Sequence, residues 1–178
     1  MSVAALRPSA VVYREEQNFD WRVYAFVAFW ELLAWGGLAW YVRRAAPGHA
    51  ALGEFHGLPV SWFAILLLGA VTVFLFALLR MTTEVSPTDI HVWFGWLPIY
   101  RKRLATVSIQ RIEVVNYRPI FDHGGWGIRI GRDGERVLSA KGNRGVRLEL
   151  TDGSRLLIGS QQPEALARAL ERAVRPGA

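Results

Sequence analysis

The sequence holds no cysteine, which excludes disulfides, thiolate metal sites and cysteine nucleophiles and is compatible with a cytoplasmic domain. Histidine is scarce. His49 and His56 fall in one connecting stretch and His91 and His123 stand apart in the second half, so the three or four converging ligands of a metal centre are not assembled. A phosphate-binding glycine loop is also missing, because Gly124, Gly125 and Gly127 run into a Trp-bearing strand rather than a helix; close packing at a barrel corner is their expected role. Asp122 and His123 are neighbours without a nucleophile or an orienting partner, and read as a turn residue and the residue beside it. With no catalytic constellation and no cofactor motif, a non-enzymatic protein is expected.

Charge is the next absence. Residues 23–42 and 60–79 carry a single charged side chain between them, Glu31, and at 1.5 Å per residue each stretch is long enough to cross a hydrocarbon core about 30 Å thick. A membrane hairpin over 23–79 is therefore expected, with helices 23–42 and 60–79 and a loop 43–59. Residues 1–22 read as an amphipathic leader that is too long before the first apolar segment to be a cleaved signal peptide. Trp21, Tyr24, Trp40, Tyr41, Trp62 and Phe63 mark the segment ends, as aromatic rings do at headgroup level. Arg7, Arg14, Arg22 and Arg80, with Arg101 to Arg103 nearby, outnumber Arg43 and Arg44 of the loop, so both termini are expected on the cytoplasmic side.

Glu31 requires its own account, since a charged Asp, Lys or Arg at the centre of such a helix costs about 2.5 to 3.5 kcal/mol. In an antiparallel hairpin Glu31 and Thr72 fall at the same depth, and a hydrogen bond between them is one reading. A contact to another membrane subunit, or a proton-handling site, is the other.

Residues 80–178 are a different kind of sequence. Ile90, Val92 and Phe94 alternate with His91 and Trp93, and Val146, Leu148 and Leu150 alternate with Arg147 and Glu149, the period of half-buried strands. Strands are expected over 82–86, 90–95, 99–105, 109–117, 126–131, 136–141, 145–151 and 155–160, with turns at 95–98, Asp133-Gly134 and Asp152-Gly153. A helix follows over 163–174: Pro163 suits its first position, and Leu166, Leu170 and Val174 form one apolar stripe. Meandering antiparallel strands closed by one amphipathic helix are the pattern of a pleckstrin-homology-like barrel or split sandwich, so the expected class is α+β, with the helix closing one open end.

From residue 81 onward the chain carries 15 Lys and Arg against 10 Asp and Glu. The charges are spread along the strands and no nucleic-acid motif accompanies them, so anionic lipid headgroups are the expected counterpart and nucleic acid is not. The densest feature is Trp93, Trp96 and Tyr100 beside Arg101, Lys102 and Arg103, which combines interfacial rings with cations and is the expected lipid- or partner-binding site. The plainer reading of the same residues is Trp93 packed on a barrel face beside a solvated basic run.

Gly124-Gly125-Trp126-Gly127-Ile128-Arg129, then Gly145 to Gly153, then Ile158-Gly159-Ser160-Gln161-Gln162-Pro163-Glu164, placed after a two-helix hairpin, resemble bacterial membrane proteins with a pleckstrin-homology-like domain. The resemblance spans residues 20–175 and implies a binding or scaffolding domain at the inner membrane surface. It brings no catalytic residues. A partner protein or anionic lipid is the implied ligand of the domain. The alternative is a small accessory subunit of a larger membrane complex, with helices rich in tryptophan, including Trp30 and Trp35, as the contact surface.

Overall fold

The computed structural model describes residues 11–45, 54–55, 58–96, 100–131 and 133–175. The first ten residues of the leader, most of the 43–59 loop with His49 and His56, and residues 97–99, the end of the expected 95–98 turn and the start of the expected 99–105 strand, lie outside the described residues. The protein is α+β. Its elements run β1 (Tyr13–Asn18), α1 (Trp21–Ala45), β2 (Glu54–Phe55), β3 (Leu58–Pro59), α2 (Val60–Leu78), β4 (Arg80–Val85), β5 (Asp89–Phe94), β6 (Tyr100–Ala105), β7 (Ile109–Asn116), α3 (Pro119–His123), β8 (Gly127–Ile130), β9 (Arg136–Ser139), β10 (Arg144–Leu150), β11 (Arg155–Gly159) and α4 (Pro163–Val174). They divide into a helical unit, Trp21–Leu78, and a β unit formed by the described residues of Met1–Asp20 and Leu79–Ala178.

In the helical unit α1 runs 25 residues and contains one stretch, Trp21–Tyr41, long and apolar enough to cross a membrane. The helix outruns the expected 23–42 because Arg43 and Arg44 are good helix formers that favour the negative C-terminal end. The second helix, α2, has 19 residues. The two pack antiparallel, with Tyr24 stacked on Phe76 at 6.2 Å between ring centroids. Their outer surfaces carry exposed Phe26, Leu32, Leu66 and Val73.

In the β unit one sheet has the order β1-β4-β5-β6 and is antiparallel throughout. The other has the order β7-β10-β11-β9-β8, antiparallel except where β9 runs parallel to β11. That pair departs from a simple meander: β8 and β9 precede β10 in the chain yet lie beyond β11 in the sheet. Met81, Val85, Ile90 and Val92 of the first sheet meet Leu138, Val146, Leu148 and Ile158 of the second in one core. Helix α4 packs on β7, β10 and β4. Its Leu166 and Leu170 are 0% exposed, each burial stabilising by about 1.5 to 3 kcal/mol, and small Ala169 and Ala173 let the helix approach closely. Pro163 opens the helix, and Glu164 follows in the first turn, its carboxyl held below the usual range by its own backbone N–H and by Arg144.

The strand β1 lies within the stretch expected to be a leader. It pairs with β4 from Tyr13↔Val85 to Asn18↔Arg80. Its inward residues are Tyr13, Glu15 and Gln17: the Tyr13 hydroxyl donates to Glu15 of the same strand at 2.7 Å, Gln17 Nε2 donates to Gly159 O at 2.9 Å, and Ser160 Oγ donates to Glu15 at 2.6 Å. The chain enters and leaves the β unit at one place, because Phe19 N–H donates to Leu79 O at 3.3 Å.

The glycines of 124–127 act through conformation rather than close packing. Gly124, Gly125 and Gly127 have φ of 71°, 119° and 105°, and a Cβ at Gly124 or Gly127 would meet nothing within 4 Å. Gly124 ends α3, a short helix where a plain turn was expected. Close approach occurs elsewhere: a Cβ at Gly159 would lie 2.8 Å from both Ser139 Cβ and the Tyr117 hydroxyl.

Candidate functional site

Alternation along β5 sends Ile90, Val92 and Phe94 into the core and leaves His91 and Trp93 on the outer face of the first sheet. The β5–β6 register sets Trp93 opposite Arg101 and His91 opposite Arg103. Beyond β5 the backbone turns at Gly95, with φ of 89° and its N–H donating to Arg80 O at 2.7 Å, which leaves Trp96 82% exposed at the strand end. Trp93, Trp96, Arg101, Lys102 and Arg103 thereby line one cavity of about 480 Å³, together with Glu84 and His91.

Tyr100 does not join them. It has the parity of Phe94, its register partner, and the two rings pack 6.1 Å apart against the core. Lys102 shares that inward parity and is half-buried, yet it reaches the cavity because β6 is a sheet edge.

The cations of the cavity are not equivalent. Arg103 Nη2 donates to Asp89 at 2.8 Å, and this guanidinium holds the Asp89 carboxyl below its ordinary value. His91 Nε2 lies 2.8 Å from the other Asp89 oxygen without hydrogen-bond alignment. Glu84 is occupied by Arg14, which donates to it at 2.8 Å. Arg101 and Lys102 make no ion pair among the described residues, so they are the cations available to an incoming anion. With two large rings beside them, the cavity suits an amphipathic ligand that presents an anion next to apolar surface.

The structure also brings Glu31 and Thr72 together: the Thr72 hydroxyl donates to Glu31 Oε2 at 2.5 Å and also lies 2.9 Å from Leu68 O, one turn back.

Asp122 and His123 lie at the end of α3. Asp122 accepts the Arg118 backbone N–H at 2.8 Å, and His123 packs 5.9 Å from the Tyr117 ring. Both line a second cavity, of about 320 Å³, floored by an ion pair the sequence does not announce: Glu135, 2% exposed, receives both Nε and Nη2 of Arg147 at 2.6 and 3.2 Å. That carboxylate pushes the Arg147 guanidinium up. Arg147 has the outward parity of an expected strand, but Glu135 lies before the strand expected over 136–141 and carries no such mark. Among the described residues no three His, Asp or Glu side chains converge as a metal site would require. Comparisons with protein-family models, with curated proteins and with solved structures found no match.

Proposed function

We propose that this is a non-enzymatic, multi-pass protein of the bacterial inner membrane, whose pleckstrin-homology-like β unit binds anionic lipid headgroups through Trp93, Trp96, Arg101 and Lys102. In this reading α1 and α2 both cross the bilayer, and both termini face the cytoplasm. Two sheets around a common core, closed by a C-terminal amphipathic helix, support the barrel-like class.

One observation carries the lipid reading. The exposed Trp96 and Arg101, which has no ion pair among the described residues, sit at the end of the first sheet where the chain leaves at Asp20 and returns at Leu79. Residues at that end are close to both links to the helices, and each cation near an anionic surface is worth about 1 kcal/mol. Partition of Trp96 at the interface adds an apolar contribution.

Native mass spectrometry of the full chain released from nanodiscs of mixed lipid tests the reading. Retained lipids should be enriched in the anionic species, and Arg101→Gln with Lys102→Gln should abolish the enrichment. Equal retention of zwitterionic lipid by the wild-type chain would overturn it.

A second reading, an accessory subunit, draws on the aromatic cluster of α1, where Phe26, Phe29 and Trp30 all point outward with rings 5.6 to 6.3 Å apart. A stoichiometric protein partner that survives loss of the β unit would favour it.

A further inference from the structure

Residues 140–143 join β9 to β10, and their carbonyls are taken by separate parts of the chain. Ala140 O accepts the Asp20 backbone N–H at 3.0 Å, and Asn143 O accepts the Tyr117 backbone N–H at 2.8 Å. Lys141 O accepts Gln161 Nε2 at 3.1 Å, and Gly142 O accepts Trp126 Nε1 at 3.0 Å. Side chains of the glycine-rich stretch around Trp126 and of the segment before α4 thus hold this loop in one shape.

A trans peptide sets each carbonyl opposite the N–H that follows it. With the carbonyls of residues 140, 141 and 142 turned onto protein partners, the N–H groups of Lys141, Gly142 and Asn143 point away from those partners, and none donates to any of the described residues. Gly142 has φ of 79°, and Lys141 and Asn143 are exposed. Successive free N–H groups in a turn form the backbone pattern of an anion site. The Lys141 ammonium adds a full charge, since it joins no ion pair among the described residues. Carboxylates tied to the same segments are engaged: Glu15 accepts the Ser160 hydroxyl and the Gln161 N–H, and Glu164 accepts Arg144.

The Asp20 bond indicates which anion reaches the loop. Asp20 directly precedes Trp21, the first residue of α1, so the Lys141 backbone lies within about 10 Å of the start of that helix. Where α1 crosses a bilayer with Trp21 at headgroup level, the anion present at this depth is a phospholipid phosphate. One ammonium balances the single charge of a phosphodiester, and the loop offers no group that reads the rest of a headgroup. It therefore takes zwitterionic and anionic phospholipids alike, unlike the face of Arg101 and Lys102.

We propose that the 140–143 loop binds one phospholipid phosphate at the entry of α1, through the Lys141 ammonium and the backbone N–H groups of Lys141, Gly142 and Asn143. The site requires α1 to cross the bilayer, as in the reading above, but not the lipid selectivity of the β5–β6 face.

Lys102 and Lys141 are the only lysines of the sequence, so the full chain isotopically labelled at lysine Nζ gives two ammonium signals, and Lys102→Gln assigns them. In phosphatidylcholine bilayers and phosphate-free buffer, nitrogen–phosphorus dipolar dephasing in magic-angle-spinning NMR should be strong for Lys141 and absent for Lys102. Lys102 should dephase only when phosphatidylglycerol is added, so the two lipid sites fail separately. Gly142→Ala places a Cβ 2.9 Å from Gln161 Nε2 at a φ that alanine rarely adopts, and Gln161→Leu releases the Lys141 carbonyl. Each should remove most of the Lys141 dephasing although the ammonium is still there, and a cooperative melt shows that the fold persists. No dephasing of Lys141 in phosphatidylcholine, undiminished dephasing in both variants, or dephasing that appears only when inorganic phosphate is added would each overturn the proposal.

Discussion

The Ser160 hydroxyl donates to the Glu15 carboxylate at 2.6 Å across 145 residues of chain, and the Gln161 backbone N–H reaches the other Glu15 oxygen at 2.8 Å. One side chain placed before the first apolar helix therefore ties the two sheets of the β unit together. A fragment of residues 79–178 lacks β1 and exposes the edge of β4. A fragment joining 11–20 to 79–178 through a short Gly-Ser linker is the expected folding unit, since Phe19 and Leu79 already share a backbone bond. Thermal melts monitored by near-ultraviolet circular dichroism should be cooperative for the joined fragment and absent for the shorter one. In the joined fragment Glu15→Ala should cost about 2 to 3 kcal/mol, because it strands buried Ser160 and removes a charged acceptor.

Asp89 sets a pH dependence. Its carboxyl is held low chiefly by Arg103, so its contribution is present above the ordinary value of 3.8 and is lost as pH falls through the lower folded value. Melting temperature between about pH 5 and pH 2 should fall less steeply in Asp89→Asn than in the parent. Because Arg103 is largely exposed, the difference should be small, about 0.2 to 1 kcal/mol. Identical acid limbs would dismiss this pairing as a source of stability.

Two glycines should respond differently to alanine. Gly159→Ala drives a methyl into Ser139 and Tyr117 and should cost about 3 kcal/mol or more. Gly124→Ala meets open space and suffers only from its φ of 71°, at about 1 kcal/mol. Urea titration of the two variants checks the order.

These residues also mark how far the sequence could be read. Strands such as β5 and β10 and the helix α4 were legible because their buried side chains are apolar at period two or four. β1 was not, since Tyr13, Glu15 and Gln17 face inward as polar groups, and Glu15 and Gln17 are bonded to residues more than 140 positions away. The cluster of Trp93, Trp96 and Arg101 was visible as neighbouring chemistry, but parity on β6 sends Tyr100 to the core.

For the helical unit the Glu31–Thr72 bond gives a graded expectation. Glu31→Gln keeps a side-chain oxygen for the Thr72 hydroxyl and should be nearly silent. Thr72→Val removes the donor and should lower resistance to unfolding in mixed detergent by about 0.6 to 1.7 kcal/mol. A large loss of assembly in the Gln variant would point instead to a contact made by the carboxyl with a second membrane subunit.

The absence of cysteine makes the lipid-binding face directly observable. Trp96→Cys in the full chain, labelled with a polarity-sensitive fluorophore and reconstituted in nanodiscs, reports whether the β5–β6 turn rests in the headgroup layer. With anionic lipid the emission should shift to the blue, and the shift should be lost in zwitterionic lipid, in high salt, or with Arg101→Gln and Lys102→Gln. A water-like emission that is the same in both lipids would contradict binding of anionic lipid by this face.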